Sequence, residues 1–409
     1  MGDILFLAHR IPFPPDRGDK IRSHHLLRYL AERARVHVGC FADGDADLAE
    51  RDELAALAAT YWCERRCKPL ALAGIEALAS HRPVSETAFD DRRLHDWVAR
   101  TIARERIDTI FVFSGQMGQY VPDDFAGRVI VDLCDVDSAK FEAYGREGSG
   151  PRAFIDSREA RMLAKVEERL APRADATLLI SDEEAALFRS RLRDTSCIDL
   201  HTIRNGIAAD VFDPTKVRPH PDLAETSGPH FVFTGQMDYA PNVAAVERWA
   251  REIMPAIRTA HPQAAFNIVG RAPTAAVKAL GGEHGTRVWG AVPDVRPFLA
   301  GADIVVAPLT IARGVQNKVL EAMAMARPVL LSPEAATGID ARDGEHFAVE
   351  ATDEGLVNRA LALLADPLQA DHLGRAARTY VLAQQSWPAM LAPLGGLLGI
   401  EAEDARNAA

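Results

Sequence analysis

Short apolar runs alternate with helix-forming segments along nearly the whole chain, and this alternation constrains the fold more than any other feature of the sequence. In the first half, the runs Ile4–Leu7, Val36–Phe41 and Thr109–Phe113 are expected to be buried strands, and stretches such as Ile21–Arg33 are expected to be helices between them. Neighbouring parallel strands need a long crossover, which a helix usually provides. The pattern therefore predicts parallel sheets wrapped by helices, the α/β class.

A single pause in the alternation divides the chain. Residues 213–229 contain four prolines, few apolar residues and no periodicity, and a second alternation begins at residues 231–233. The length of 409 residues also exceeds the roughly 250–300 residues at which one core stops growing. We therefore expect two doubly wound, Rossmann-like domains. The predicted bounds are 1–212 for the first domain, 213–229 for a linker, 230–380 for the second domain and 381–409 for a helical tail.

Charge and cysteine content exclude several classes of protein. The chain has 47 lysines and arginines against 58 acidic residues, a net charge of −11, and both halves carry an acidic excess. Nucleic-acid binding would need a basic excess instead. The five cysteines are odd in number, which suits a reducing cytoplasm better than a disulfide framework. No segment approaches the ~18–20 apolar residues of a membrane span. We expect a cytoplasmic protein with no nucleic-acid partner.

The stretch that follows the expected strand Ile304–Val306 carries the strongest indication of function. Gly314 breaks the chain, and a helix-forming segment then runs to Ala326. A helix N-terminus at the carboxyl end of a strand favours a diphosphate, because its N–H groups are unpaired and its dipole is positive there. Lys318 and Glu321 share one face of this helix, so an ammonium can meet phosphate while a carboxylate accepts the hydroxyls of a ribose. The other residues expected to bind a sugar nucleotide at this turn are Gly314, Val315, Gln316 and Asn317.

The alternative for Lys318 and Glu321 is an ordinary surface ion pair. Lysine occurs only seven times in the chain, however, so its presence here does not reflect abundance. Three further turns after apolar strands of the second half are expected to support the same site. Gly235 and Asn242 belong to the first of these turns, Gly270 to the second and Val292 to the third.

Two strand ends of the first half offer further candidates. Gly18 and Lys20 follow the first strand and open a helix, where a glycine lets the backbone approach a leaving phosphate. Asp135 follows the strand Val129–Leu133 and could accept hydrogen bonds from sugar or acceptor hydroxyls. A solvated charged loop is the alternative for Gly18 and Lys20, and capping of the next helix is the alternative for Asp135.

The helix sequence of Gly314–Ala324 and the motif Arg-Gly-Asp-Lys-Ile-Arg at Arg17–Arg22 resemble retaining glycosyltransferases of the GT-B fold, group 1 (family 4). The combination is most similar to the sugar transferases associated with exosortase/PEP-CTERM exopolysaccharide loci. The resemblance covers nearly the whole chain. It implies two facing Rossmann-like domains, an acceptor-side first domain and a nucleotide-sugar-binding second domain. It also implies a C-terminal crossover helix, indicated by the sequence of Gln385–Trp387.

The implied activity is transfer of a sugar, with retained anomeric configuration, from a nucleoside-diphosphate sugar to a hydroxyl of a polysaccharide or lipid-linked oligosaccharide acceptor. No cofactor is implied. Arg313 departs from the family, which has its first Glu at that position, and we expect Arg313 to join Lys318 on the diphosphate. Asp135 stands where a relative often has a His that faces the sugar. The candidate catalytic residues are therefore Asp135, Lys318 and Arg313.

Three alternatives remain open at this point. Asp135 and Asp137 form an Asp-x-Asp pattern, typical of metal-dependent transferases with a different fold, although the cations named above make a metal unnecessary for the phosphates. A sugar-nucleotide epimerase of the same fold and a non-catalytic nucleotide-sugar sensor would use the same donor site. Finally, basic residues recur at helical spacing in residues 151–171, which would suit either contact with the inner face of a membrane or a solvated helix face.

Overall fold

The computed structural model describes residues 2–312 and 314–399, which form two compact units. The first unit comprises the chain up to Asn205 and resumes at Met390, and the second is Gly206–Ala389. The segment predicted as a linker, residues 213–229, lies in the second unit. Its Leu223 is buried in the core of that unit, and a short helix forms around it.

The first unit is built on a seven-stranded sheet in which every neighbouring pair is parallel. The strand order is β3-β2-β1-β4-β5-β6-β7. The strands are β1 Asp3–Ala8, β2 Val36–Ala42, β3 Thr60–Arg65, β4 Ile107–Phe113, β5 Arg128–Cys134, β6 Ala176–Leu179 and β7 Leu200–Thr202. The helices are α1 Gly18–Ala31, α2 Asp45–Ala49, α3 Arg51–Leu57, α4 Leu70–Ser80, α5 Val84–Thr87, α6 Arg92–Arg104, α7 Asp137–Glu147, α8 Gly150–Leu170 and α9 Asp182–Arg191, with 3₁₀ turns at Gly115–Tyr120 and Ala171–Arg173.

The second unit has a six-stranded parallel sheet of order β10-β9-β8-β11-β12-β13. Its strands are β8 His230–Thr234, β9 Ala265–Val269, β10 Thr286–Gly290, β11 Ile304–Ala307, β12 Val329–Leu331 and β13 Ala348–Val349. Its helices are α10 Pro221–Glu225, α11 Ala240–Arg248, α12 Met254–Ala260, α13 Ala275–Ala279, α14 Arg296–Ala300, α15 Asn317–Ala324, α16 Pro333–Ala336, α17 Asp353–Ala365 and α18 Pro367–Gln384, with a π-helical turn at Trp249–Ile253 and a 3₁₀ turn at Glu283–Gly285. Helix α19, Trp387–Leu391, spans the division between the units, and α20, Leu394–Leu397, follows it.

The burial of the central strands explains why the alternation of strands and helices could be recognised in the sequence. Residues Ile4–Ala8 of β1 have no solvent exposure, because helices cover both faces of the sheet, and the strand therefore appears as a continuous apolar run. In each sheet the strand that comes first in the chain lies in the interior of the sheet: β1 lies between β2 and β4, and β8 lies between β9 and β11. Strand order reverses at these points, and ligands of doubly wound sheets bind at the carboxyl ends of the strands there.

The predicted fold class is confirmed: both units are doubly wound parallel sheets of the Rossmann-like type. The sequence did not indicate β3, an edge strand with partly exposed residues and only a short apolar run. The described part of the tail, residues 381–399, is largely helical but interrupted at Gln385–Ser386, where Ile207 N–H donates to the Gln385 carbonyl at 2.7 Å. No helix in the described ranges has the length and apolar character needed to cross a bilayer.

Candidate functional site

A cavity of about 780 Å³ opens at the carboxyl edge of the second sheet. Four segments line it, each following or approaching a strand end. The lining residues are Thr234, Gly235, Gln236, Tyr239, Asn242, Val269, Gly270, Arg271, Ala291, Val292, Val295, Val315, Gln316, Asn317, Lys318 and Glu321. Nine of the residues predicted from the sequence are among them, so distant turns converge on one site.

Helix α15 positions the charged pair of this cavity. Gly314 has a φ of +63°, a conformation that favours glycine and turns the chain after β11 toward the helix. The N-cap residue of this helix, Gln316, makes no side-chain capping hydrogen bond to it, and the N-terminus of the helix lies at the cavity. On the opposite side, Leu320 and Met323 are buried in the core and fix the rotation of the helix. Lys318 and Glu321 therefore face the cavity.

The Lys318 ammonium is held by two neighbours. It donates a hydrogen bond to Asn242 Oδ1, and its Nζ lies 4.3 Å from the centroid of the Phe233 ring, where the ring face favours a cation. Neither neighbour carries a negative charge. Burial lowers the pKa of Lys318 to about 8, and the charge of Glu321 opposes this shift only in part.

Burial also raises the pKa of Glu321, again partly opposed by Lys318. Both groups are thus held in a cavity that disfavours their charged forms when no ligand is bound. An anion near Lys318 would relieve the cost on the lysine, and hydroxyl donors near Glu321 would relieve the cost on the carboxylate. This is the electrostatic arrangement expected of a site for a phosphorylated sugar or nucleotide.

Gly235 and Gly270 allow the turns of β8 and β9 to touch. A Cβ at Gly270 would lie 1.6 Å from the Gly235 carbonyl oxygen, and a Cβ at Gly235 would lie 2.8 Å from Asn242 Nδ2. Asn242 is buried and donates to the Gln236 carbonyl at 2.9 Å, which leaves its Oδ1 aimed at Lys318. Side chains at either glycine would push these loops apart, so both glycines serve the position of Lys318.

Seven lining residues were not predicted: Thr234, Gln236, Tyr239, Val269, Arg271, Ala291 and Val295. The Thr234 hydroxyl is buried and has no hydrogen-bond partner among the described residues, and Tyr239 is 51% exposed. Their position beside Gly235 was the available signal, because a polar or aromatic residue at a strand end next to a glycine turn faces the same edge. Of the predicted residues, Gly314 shapes the turn without lining the cavity, and Arg313 lies outside the described residues.

In the first unit, the ammonium of Lys20 is already paired. Lys20 is 3% exposed and donates to the Phe13 carbonyl at 2.9 Å and to Asp47 at 2.6 Å. Gly18 begins α1, and nothing lies within 4 Å of where its Cβ would stand. The structure therefore leaves room for a ligand at Gly18 and gives Lys20 an internal partner, while contact of these two residues with a phosphate stays a prediction.

Arg22, two residues after Lys20, is also internal. It forms a buried ion pair with Asp132 at 2.8 Å and donates to the Ile203 carbonyl and to Asn205 Oδ1, both at 2.9 Å. These contacts tie α1 to the carboxyl ends of β5 and β7. The charged motif at Arg17–Arg22 thus consists largely of structural ion pairs.

Asp135 is half-buried at the end of β5. It does not cap α7: the N-cap position is Val136, whose N–H donates to Glu184 at 2.7 Å. Burial raises the pKa of the adjacent Asp137. The capping alternative for Asp135 is therefore wrong, while its predicted contact with substrate stays a prediction.

His9 is a buried residue of this edge that the sequence analysis missed. Its Nε2 lies 3.2 Å from Asp19, its ring stacks on Phe113, and burial lowers its pKa despite the hydrogen bond to Asp19. Its Nδ1 has no partner among the described residues. The signal was its place directly after β1, at the carboxyl end of a central strand.

The acidic run at residues 43–47, a second short pattern that could suggest a metal, holds basic side chains. Asp43 accepts from Arg10 at 2.7 Å and from Arg17 at 3.0 Å, and Asp47 accepts from Lys20. Among the described residues, the three groups close enough to share an ion are Asp3, His37 and Glu105, at the opposite, amino-terminal edge of the first sheet. The Asp-x-Asp pattern at Asp135 and Asp137 is not part of that group.

Comparison with known proteins agrees with this architecture. Residues 228–366, about a third of the chain, match the family model described as "Glycosyl transferases group 1". No curated protein matches the sequence. This match lies within the second unit and confirms the prediction of an enzyme of the glycosyltransferase class.

Solved structures with the same fold cover both units. HepE from Anabaena, in complex with UDP, superimposes with a TM-score of 0.59 at 14% identity and covers 98% of this chain and 100% of its own. Sucrose-phosphate synthase from Thermosynechococcus elongatus gives 0.56 at 18% identity, covering 97% and 98%. WaaG, a glycosyltransferase involved in lipopolysaccharide biosynthesis, gives 0.53 at 16% identity, covering 97% and 100%. At these identities the likeness defines the fold, which is GT-B.

Proposed function

We propose that this glycosyltransferase moves a sugar from a nucleoside-diphosphate sugar to a hydroxyl of a lipid-linked exopolysaccharide precursor, with retention and without a metal. The observation that carries the donor proposal is the pair Lys318 and Glu321 in the cavity of the second unit. Both are half-buried, and among the described residues each is the other's main partner of opposite charge. The family match of residues 228–366 supports the reaction class. Family 4 membership, the exosortase association and the acceptor rest on the sequence resemblance.

The proposed binding mode uses the two charges for different parts of the donor. Lys318, with the helix start at Gln316 and Asn317, binds the diphosphate. Glu321, one turn further along α15, accepts hydrogen bonds from the ribose hydroxyls. The turn at Val292 and the exposed ring of Tyr239 then line the space left for the base.

In the proposed chemical step, the main work of the protein is electrostatic. The glycosidic bond to the diphosphate breaks, and Lys318 stabilises the charge that develops on the leaving group. In a retaining transfer of this kind the departing diphosphate takes the proton of the acceptor hydroxyl. Arg313 is proposed as a second cation on the diphosphate, and Asp135 as an acceptor of hydrogen bonds from sugar or acceptor hydroxyls.

Uridine diphosphate sugars are the first donors to test, since the crystal structures of HepE hold UDP and UDP-glucose. Binding is measured by calorimetry and turnover by nucleotide release, with and without a polyprenyl-linked acceptor. Nucleotide release that depends on the acceptor supports the transferase. Release or sugar conversion without acceptor indicates the epimerase, and binding without any turnover indicates the sensor. An inverted linkage in the product, seen by NMR, would contradict retention.

A further inference from the structure

Helix α4 of the first unit buries small side chains and exposes large apolar ones, the reverse of what a helix on a protein core usually does. Its small residues Ala73 and Ala77 are fully buried, whereas Leu72, Ile75 and Leu78 are 53%, 65% and 63% exposed. A surface helix normally buries its large apolar side chains and exposes polar ones. The outer side of α4 is therefore apolar for a reason other than folding of this unit.

The start of α8 extends this exposed apolar surface. Phe154 is 70% exposed and Ile155 is 55% exposed. Both lie one turn before Arg158, on the same side of α8. The Arg158 guanidinium donates to the Ala77 carbonyl at 2.6 Å, which places the end of α4 beside this turn of α8.

The exposed apolar residues of α4 and of the start of α8 are here called the apolar face: Leu70, Leu72, Ile75, Leu78, Phe154 and Ile155. All six side chains are more than half exposed. Single exposed apolar residues are ordinary, but contiguous groups of large ones mark interaction sites. The exposed apolar residues of the second unit, such as Ile311 and Leu368, belong to separate elements and form no comparable group with α4.

The charges around the apolar face are mainly positive. The exposed cations of this part of α8 are Arg152, Arg161 and Lys165, whereas Lys68 pairs with Glu76 and Arg82 with Glu86 and Asp90. Arg152 is 92% exposed at the start of α8, while Glu159 is buried and accepts from the backbone N–H groups of Val84 and Ser85. The surroundings of the apolar face thus complement a negatively charged partner.

We propose that the apolar face docks on the surface of an anionic lipid bilayer, with α4 lying in the interface. An apolar helix face bordered by lysines and arginines has the chemistry of such docking. A second copy of this chain fits less well, because a two-fold dimer through the same patch would bring like charges together. The proposal deepens the proposed function, since it rests on a lipid-linked acceptor that must be reached at a membrane.

This face differs from the basic stripe of α8 that the sequence indicated. Arg158 is bonded to backbone carbonyls of the α4 region, Arg169 pairs with Glu86 at 3.0 Å, and Arg173 pairs with Asp123 at 3.0 Å. These arginines hold the first unit together and are poorly placed to bind lipid headgroups. The apolar residues of α4, not the arginines of α8, supply the main contact.

The test is vesicle binding by the full-length protein without donor or acceptor. Sedimentation with phosphatidylcholine vesicles is compared with sedimentation with vesicles that contain a third phosphatidylglycerol. We expect binding to the anionic vesicles, and a loss of about ten-fold or more in the variant Leu72→Gln/Ile75→Gln/Leu78→Gln, since binding follows the apolar area inserted. The matched control is Leu368→Gln, which removes an 82% exposed leucine from α18 and should bind like the wild type.

Circular dichroism and calorimetry of nucleotide-sugar binding verify that the triple variant is folded and that its donor site is intact. Failure of the wild type to bind anionic vesicles, or equal binding by the triple variant, overturns the membrane proposal. A wild-type dimer that the triple variant dissociates, seen by analytical ultracentrifugation, overturns it in favour of self-association. Loss of donor binding or of turnover on a water-soluble acceptor would instead count against the proposed function.

Discussion

The carboxyl edges of the two sheets use lysine in opposite ways. Lys20 and Lys318 both lie within the first residues of a helix that follows a central strand. Lys20 is buried in an ion pair with Asp47, whereas Lys318 faces an open cavity, contacts an amide and an aromatic ring, and makes no ion pair within 4 Å among the described residues. A cation with an internal carboxylate stabilises the fold, and a cation without one is available for an anionic ligand. The comparison teaches that the partner, rather than the place in the fold, decides what such a lysine does.

The largest expected effect is a loss of stability when the buried ion pair of the first sheet, Arg22 with Asp132, is broken. Arg22→Met leaves the fully buried carboxylate of Asp132 without its partner, so we expect the free energy of unfolding to fall by about 3–5 kcal/mol. Urea denaturation measures this loss. Arg161→Met, at an exposed position on α8, is the control and should change stability little. Equal stability of the two variants would show that the buried pair does not hold this edge together.

Exchanging the two lysines for methionine tests the comparison directly. Lys318→Met removes the cation from the cavity and should weaken nucleotide-sugar binding by about 1.5–3 kcal/mol, the range for hydrogen bonds to charged groups. Lys20→Met should instead lower stability by about 1–3 kcal/mol, because Asp47 loses its buried partner, with donor affinity nearly unchanged. Calorimetry and urea denaturation of both variants provide the measurements. A larger loss of donor affinity in Lys20→Met would reverse the assignment and restore Lys20 as a phosphate ligand.

Glu321→Ala sharpens the account of the second edge. Loss of the carboxylate that receives the ribose hydroxyls should lower donor affinity and turnover by about 1–3 kcal/mol while the fold stays intact. The same titrations with the 2′-deoxyribose form of the donor serve as control. The wild type should bind this donor more weakly than the natural one, whereas Glu321→Ala should bind the two donors with nearly equal affinity. Unchanged binding of the natural donor by Glu321→Ala would contradict a ribose contact.

Donor affinity should also depend on pH through Lys318. Its pKa of about 8 means that most of the ammonium is present below pH 8 and is progressively lost above it. A bound diphosphate favours the ammonium, so binding above pH 8 requires the uptake of a proton. We expect a constant affinity from pH 6 to 7.5 and a decline of at most about ten-fold per pH unit above pH 8. Calorimetry across this range in two buffers of different ionisation heat also reports the proton uptake. A decline of the same steepness in Lys318→Met would assign the titration to another group.

The smallest expected effect is that of metal removal. The phosphates are proposed to be bound by Lys318 and backbone N–H groups, and the carboxylates of Asp43 and Asp47 hold basic side chains. Turnover in excess EDTA should therefore equal turnover without it, within experimental error. Activity that disappears with EDTA and returns with manganese would favour the Asp-x-Asp alternative at Asp135 and Asp137.

Much of the second-unit site could be predicted because its determinants are local. Gly314, the helix that follows it and the spacing of Lys318 and Glu321 all lie within one short segment, and the helical repeat alone puts both charges on one face. Gly235 and Gly270 were each recognisable as strand-end turns. Their contact with one another was not, because it depends on β8 and β9 being neighbours in the sheet.

The first-unit edge was harder to predict because its partners are remote in sequence. Lys20 meets Asp47 across 27 positions, and Arg22 meets Asp132 across 110. From the sequence, the charged motif around Gly18 suits a phosphate site as well as a set of ion pairs. The interior of a folded domain disfavours an unpaired charge. Lys20 and Arg22 form ion pairs because the fold places the carboxylates of Asp47 and Asp132 beside them.

By itself, then, the sequence determined the α/β class, the two sheets and the helix that carries Lys318 and Glu321, because strand and helix periodicities and glycine turns act over a few residues. Tertiary structure decided which charges are neutralised inside the protein and which face a cavity. It also decided that the alanines of α4 turn inward and its leucines outward. Hydrophobicity is a property of each residue, but exposure depends on what packs against it. For α4 that is decided by α5 and by Arg158 of α8 rather than by its own sequence.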